Sequence, residues 1–375
     1  MPVDDDAPYI LLTPGPLTTS AAVKRAMLRD LSTWDDDYNG IVQDVRRRLV
    51  ALAGGGSDLT AVLMQGSGTF AIEATVGSVV PQDGKLLVAT NGAYGERMVA
   101  IACRLRIPVT EVACDETQAC DPAAVDAALA ADPAITHVAV VHCETTTGIL
   151  NDAAAVGAVA HRHGRTFIVD AMSSFGGIQM TMDGLGADYL VSSANKCIEG
   201  VPGFAFVIAR RDALMATAGW ARSLSLDLYD QWREMEAHGG KWRYTSPTHV
   251  VLAFAQALDE LAAEGGVEAR HARYLANQRR LAAGMARIGF RALLPEAVQS
   301  PIITSFLYPD GSFDFRRFYA TMKRRGFVLY PGKISRADTF RIGTIGHVFP
   351  EDIDRLLVAV EATVDELEIA FAAAP

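Results

Sequence analysis

The sequence predicts an α/β fold: a large domain on a mostly parallel, seven-stranded sheet, followed by a smaller α+β domain. Three observations lead there. Short apolar runs alternate with amphipathic segments from about residue 59 to 210, the strand–helix–strand rhythm of a parallel sheet. Runs such as TFIVD at 166–170 do not alternate polar with apolar residues, as suits strands covered on both faces. After about residue 247 the texture changes to two long helical segments and then short mixed elements.

Seven strands are expected at 61–65, 85–90, 107–113, 136–142, 166–170, 188–192 and 204–209. Between them, Pro81-Gln82-Asp83-Gly84 reads as a turn. Asp121-Pro122 supplies an N-cap and an N1 proline to a helix, and Asp152 caps the next. Helices over 247–264 and 267–288 meet at Gly265-Gly266. A strand at 302–307, a turn at Pro309-Asp310-Gly311, a helix over 313–325, strands at 327–330 and 339–345 and a helix from 351 complete the chain. The proline-rich stretch 8–19 is extended and crosses between the domains. The expected division is 20–262 for the large domain and 1–19 with 263–375 for the small one.

Composition narrows the functional classes. Half of the 375 residues are hydrophobic (50%) and 21% are charged, which excludes general disorder. The 34 basic residues against 44 acidic ones leave a net charge of −10, a poor match to nucleic acid or anionic membranes. Cys103, Cys114, Cys120, Cys143 and Cys197 form no C-x-x-C pair, which argues for a reducing compartment. The acidic opening MPVDDDAPYI is no signal peptide, and no run is long enough to span a membrane. The expectation is a cytoplasmic enzyme.

In an open α/β sheet, ligands sit beyond the carboxyl ends of the strands. Gly66-Ser67-Gly68-Thr69 follows the first strand and opens a helix, a backbone-rich anion site. It also fits G-x-G-x-x-A, but no acid ends the next strand, so a single phosphate is favoured over a dinucleotide. Tyr94 follows the second strand, and Thr145-Thr146-Thr147 the fourth. Asp170 ends an apolar strand, where a carboxylate needs a cationic partner. Lys196 lies in the nearly charge-free run SSANK, where a desolvated amine can attack carbonyls. Anion site, carboxylate and amine together are what pyridoxal 5'-phosphate requires. His161 and His163 do not share a helix face, and no metal site is expected.

The motifs VDAMSS, SSANKCIEGVPGF, GSGT, TNGAYGER and HCETTTG resemble the fold-type I, class V pyridoxal-phosphate transaminases. LLTPGPLTTS, STWDDDYN, SLSLDLYDQW, YTSPTHVVLAFAQAL, FVLYPGKIS and FRIGTIG are similar to the 2-aminoethylphosphonate–pyruvate transaminases within that group. The resemblance spans about residues 9 to 365. It implies an enzyme of phosphonate degradation that passes the amino group of 2-aminoethylphosphonate to pyruvate. The products are phosphonoacetaldehyde and L-alanine, and the enzyme is a homodimer.

By the same resemblance Lys196 carries the cofactor covalently and Asp170 pairs with its pyridine nitrogen. Ser67, Gly68 and Thr69 hold its phosphate. Tyr94, where relatives often have Trp, stacks on its ring, and Thr145 reaches its phenolic oxygen. Thr245 reaches the phosphate from the neighbouring subunit. Arg341 holds the substrate anion, and strand alternation puts it on the face of Gly343, opposite Phe340 and Ile342. One departure is Glu199, where relatives tend to be neutral. An acid three residues from the lysine weakens anion binding unless it points away. Two alternatives stay open: another class V enzyme, such as an alanine–glyoxylate or serine–pyruvate transaminase, and a nicotinamide-dependent dehydrogenase using the G-x-G-x-x-A loop.

Overall fold

The computed structural model describes residues 9–334 and 337–371. The acidic opening up to Pro8 and the end of the alanine-rich tail lie outside the described residues.

Seven strands form the central sheet: β1 (Leu59–Gln65), β2 (Lys85–Thr90), β3 (Val109–Ala113), β4 (Ile135–Val141), β5 (Thr166–Asp170), β6 (Tyr189–Ser193) and β7 (Phe204–Arg210). Their spatial order is β1-β7-β6-β5-β4-β2-β3. All neighbours are parallel except that β7 runs antiparallel to both β6 and β1. The reason is chain length: residues 194–203 are too few for a crossover, so β7 must fold straight back. Two antiparallel steps restore the direction, so β1 ends on the same edge as β2, β4, β5 and β6. All five ends that carry candidate site residues therefore meet there.

The strands are continuously apolar because helices cover both faces; β5, for example, is buried from Phe167 to Asp170. Helix α1 (Asp36–Leu52) precedes the sheet. Its acidic first turn, capped by Asp35, reads as a charge run, yet Tyr38, Val42, Val45 and Leu49 form a buried stripe at helical spacing. Helices α2 (Gly68–Val79) and α3 (Ala93–Arg104) start at the sheet edge that gathers the site. The long pair α4 (Thr248–Glu264) and α5 (Gly266–Ile288) breaks where expected. Gly265 and Gly266 adopt φ of +111° and +79°, which no side-chain-bearing residue takes without strain.

A second core gathers Phe290, Phe306, Phe318 and Phe340. It lies against a three-stranded antiparallel sheet of Ile303–Leu307, Thr339–Gly343 and Tyr330–Pro331. The single strand expected over 327–330 is two pieces. Phe327–Val328 pairs parallel with Ile10–Leu11, whereas Tyr330–Pro331 pairs with Thr339–Gly343. The chain changes partner around the buried Leu329. The 8–19 stretch spans the two cores from Ile10 onward. Ile10 and Leu12 bond to Gly326 and Val328, while Pro14 meets Lys196.

Phe290 is 1% exposed and packs edge-on against Phe340 and Phe371, at 5.5 and 5.1 Å. Phe290→Ala leaves a cavity at the centre of this cluster and is expected to cost about 3–5 kcal/mol. A lowered urea midpoint for the unfolding of this region measures it; an unchanged midpoint contradicts it.

Candidate active site

The anion site comes first in the chain. Ser67 caps α2 with extended backbone, but its hydroxyl makes no capping bond. The N–H groups of Gly68 and Thr69 have no intrahelical acceptor, as is general for the first turn. A Cβ on Gly68 would run into the Met172 side chain, so any other residue here requires Met172 to move. Thr69 accepts a 3.0 Å hydrogen bond from Arg97 Nη1. The first turn thus presents free N–H groups and hydroxyls under a positive helix end.

Ser67, Gly68, Thr69, Tyr94, Asp170 and Lys196 line one cavity of ≈ 270 Å³. Lys196 reaches it from the short β6–β7 connection. Glu199 N–H donates to Lys196 O at 2.7 Å and Gly200 N–H to Ala194 O at 3.0 Å, which holds the loop tight. Lys196 Nζ donates to Pro14 O at 2.6 Å. Loss of solvent pulls its pKa down to about 8, against the attraction of Cys197 and Asp170, with Arg341 lowering it further. Asp170 shows the same cause with the opposite sign. Burial pushes its pKa up to about 7, offset in part by the Met172 N–H that bonds Oδ1 at 2.9 Å. The other carboxylate oxygen is left for a ligand. No ion pair joins Lys196 to Asp170 among the described residues: each feels the other's charge, yet both face the cavity.

Thr145 lies in the loop after β4, fully buried, and its Oγ1 has no hydrogen-bond partner. The main chain on either side is held by Glu144, whose carboxylate accepts from Thr146 N–H at 3.2 Å, Thr146 Oγ1 at 2.8 Å and Tyr94 N–H at 3.0 Å. Glu144 therefore caps α3 from a neighbouring loop. Arg341 is 2% exposed; its Nη1 donates to Thr145 O at 2.6 Å and its Nε to Pro331 O at 2.9 Å. It adjoins the cavity without lining it. Thr245 is not brought to the cavity: it is exposed, three residues before α4.

Sequence reasoning assigned no role to six further lining residues: Ile72, Arg97, Met98, Met172, Ser193 and Asn195. Arg97 follows Tyr94 by three, the spacing that puts two side chains on one helix face, and its guanidinium lies 4.9 Å from the Tyr94 ring centre. Ser193 and Asn195 were legible as the polar part of SSANK. Ser193 Oγ is buried without a partner. Glu199 points away from the cavity. Its Oε1 accepts from Arg273 Nη2 at 2.8 Å and Tyr274 OH at 2.6 Å, and Arg270 Nη1 lies 3.3 Å off. The acid near the lysine is thus spent on α5.

The donor set fits pyridoxal phosphate. Free N–H groups at a helix start suit its phosphate, the unmatched Asp170 oxygen its ring nitrogen, and the two orphaned hydroxyls its remaining polar atoms. The Lys196 amine has its pKa low enough to react with its aldehyde.

Comparison with known proteins agrees. The model of the class-V aminotransferase family matches residues 18–323. A 2-aminoethylphosphonate–pyruvate transaminase of Syntrophobacter fumaroxidans is 64% identical over 94% of this chain and 96% of its own. One from Salmonella typhimurium is 59% identical over 94% of this chain and 96% of its own. Among solved structures, pyridoxamine–pyruvate aminotransferase from Mesorhizobium loti superposes with a TM-score of 0.90 at 26% identity, covering 99% of this chain and 95% of that one.

Asp170 yields a prediction about stability. Its folded pKa of about 7 lies above the unfolded 3.8, so ionising it destabilises the cofactor-free protein. The penalty is absent below about pH 4, grows as pH rises and is complete above about pH 7. Asp170→Asn removes it. The cofactor-free variant is expected to gain stability over wild type between pH 5 and 8, by up to about 2–3 kcal/mol. Thermal unfolding at both pH values measures this; a pH-independent difference contradicts it.

Proposed function

The chain belongs to the class-V aminotransferase family, and on that premise we propose that it transfers the amino group of 2-aminoethylphosphonate to pyruvate, giving phosphonoacetaldehyde and L-alanine. The observation that carries the chemistry is the pair of desolvated groups, Lys196 and Asp170, facing one cavity beside a free helix start. The relatives at 58–64% identity carry the choice of substrate over the alanine–glyoxylate and dehydrogenase alternatives.

Pyridoxal phosphate, when bound, supplies a carbonyl that takes up the amine and a ring that accepts electrons from the carbon beside it. In this reading Ser67, Gly68 and Thr69 hold its phosphate, Tyr94 covers its ring and Thr145 Oγ1 bonds its phenolic oxygen. The free Asp170 oxygen holds a proton on the ring nitrogen by a charge-assisted hydrogen bond. Lys196 Nζ binds the cofactor at rest. With the cofactor bound, the Lys196 amine would be placed to take a proton from the amine-bearing carbon of the substrate and to give it back, as general base and then acid. Its lowered pKa keeps a share of the amine neutral near pH 8. Arg341 receives the phosphonate in one half-reaction and the carboxylate of pyruvate in the other, because its planar fork suits both.

A homodimer belongs to the same reading. Thr245 is exposed and does not line its own cavity, which leaves its side chain available to a partner's site. The two cores support two domains divided near residues 20 and 262. Five free cysteines support a cytoplasmic setting. No helix among the described residues is long and apolar enough to cross a membrane.

Single-turnover reaction of the holoenzyme with separate donors tests the substrate. 2-Aminoethylphosphonate is expected to react far faster than serine or taurine, and Lys196→Ala to abolish reaction with every donor. Equal rates for the three donors would falsify the assignment. Sedimentation of the active enzyme is expected to give a two-chain mass, and a fully active monomer removes the role given to Thr245.

A further inference from the structure

The two half-reactions present unequal anions. Pyruvate offers a carboxylate, with one charge and two oxygens in a plane. The phosphonate offers up to two charges on three oxygens arranged tetrahedrally. A guanidinium fork grips two oxygens in its plane and leaves the third without a partner. A site that favours the phosphonate therefore needs another cation out of that plane.

The FVLYPGKIS motif supplies one. Tyr330 pairs across the ladder with Arg341, and Arg341 Nε is bonded to Pro331 O. Gly332 N–H donates to Thr339 O at 3.0 Å, and a Cβ on Gly332 would collide with that carbonyl. The chain thus leaves the ladder at a fixed point, and Lys333 emerges two residues beyond the carbonyl that orients Arg341. Its Nζ lies 5.3 Å from the centre of the Tyr94 ring, which lines the cavity with Lys196. The side chain is exposed, and no carboxylate pairs with Lys333 or Arg341 among the described residues. Partial burial and the charges of Arg97 and Arg341 lower the Lys333 pKa, and the attraction of Glu144 and Glu96 offsets this only in part. Arg97 and Lys333 both lie against the Tyr94 ring, at 4.9 and 5.3 Å from its centre. Unpaired cations gathered at the mouth of a cavity form a site for an anion.

We infer that Lys333 is a specificity-determining residue: with Arg341 it binds the phosphonate of the amine donor, whereas Arg341 alone serves the carboxylate of pyruvate and alanine. The inference rests on the substrate reading above. Lysine suits the third oxygen because it is a compact point charge on a flexible stem.

The test compares holoenzyme variants in single-turnover reactions with 2-aminoethylphosphonate and with alanine. It also compares calorimetric binding of ethylphosphonate and propionate, which carry the two anions without an amine. Lys333→Met is expected to lower efficiency with 2-aminoethylphosphonate by about 10- to 100-fold more than with alanine, the worth of one hydrogen bond to a charged group. The loss falls mainly on apparent affinity, and ethylphosphonate binding weakens far more than propionate binding. Lys333→Arg restores most of the difference, whereas Arg341→Lys damages both half-reactions. Equal losses with both donors, or none, overturn the role of Lys333. A wild-type enzyme inert to 2-aminoethylphosphonate whose ethylphosphonate binding still depends on Lys333 overturns the substrate reading and upholds the anion site.

Discussion

Desolvation of two opposite charges at one sheet edge governs this molecule. Lys196 and Asp170 both lose water, and burial outweighs their mutual attraction in each pKa. Had they closed into an ion pair, each would have satisfied the other and the cavity would hold no reactive group. Held apart, the amine is poised to lose its proton and the carboxylate to accept a cation. The scaffold must then keep two unfavourable charges apart, so the loops around them are tightly tied. Lys196 is held through Pro14, Ala194 and Glu199, and Asp170 through the Met172 N–H.

The same constraint explains Glu199. A free carboxylate three residues from the lysine would raise the amine's pKa and repel an incoming phosphate. Here its charge is taken up by Arg270, Arg273 and Tyr274 on α5. Arg273 also donates to Gly346 O and Val348 O, just beyond the strand that carries Arg341. One helix therefore ties the lysine loop to the arginine strand. Glu144 does comparable work on the opposite side, joining the start of α3 to the Thr145 loop, which in turn receives Arg341.

Much of this was legible in the chain. The seven strands follow from unbroken apolar runs, and the sheet-edge rule gathers Ser67, Tyr94, Asp170 and Lys196. Arg97 was readable from its spacing to Tyr94, and α1 from its buried stripe. Other features carried no local signal. The split of the strand expected at 327–330 depends on which distant segments compete for each edge, and Gly326 and Val328 meet Ile10 and Leu12 from the far end of the chain.

The amino-acid sequence by itself determined the α/β class and the placing of a lysine and a carboxylate at strand ends, because residue types at strand ends follow from local pattern and from motif. Only the tertiary structure decided where the charges point. Glu199 turns away from the lysine because α5, more than sixty residues later, presents two arginines and a tyrosine to it. Lys333 faces Tyr94, almost 240 residues earlier, because a glycine fixes the exit of its ladder. Electrostatic energy depends on distance through space, and separation along the chain carries no such distance.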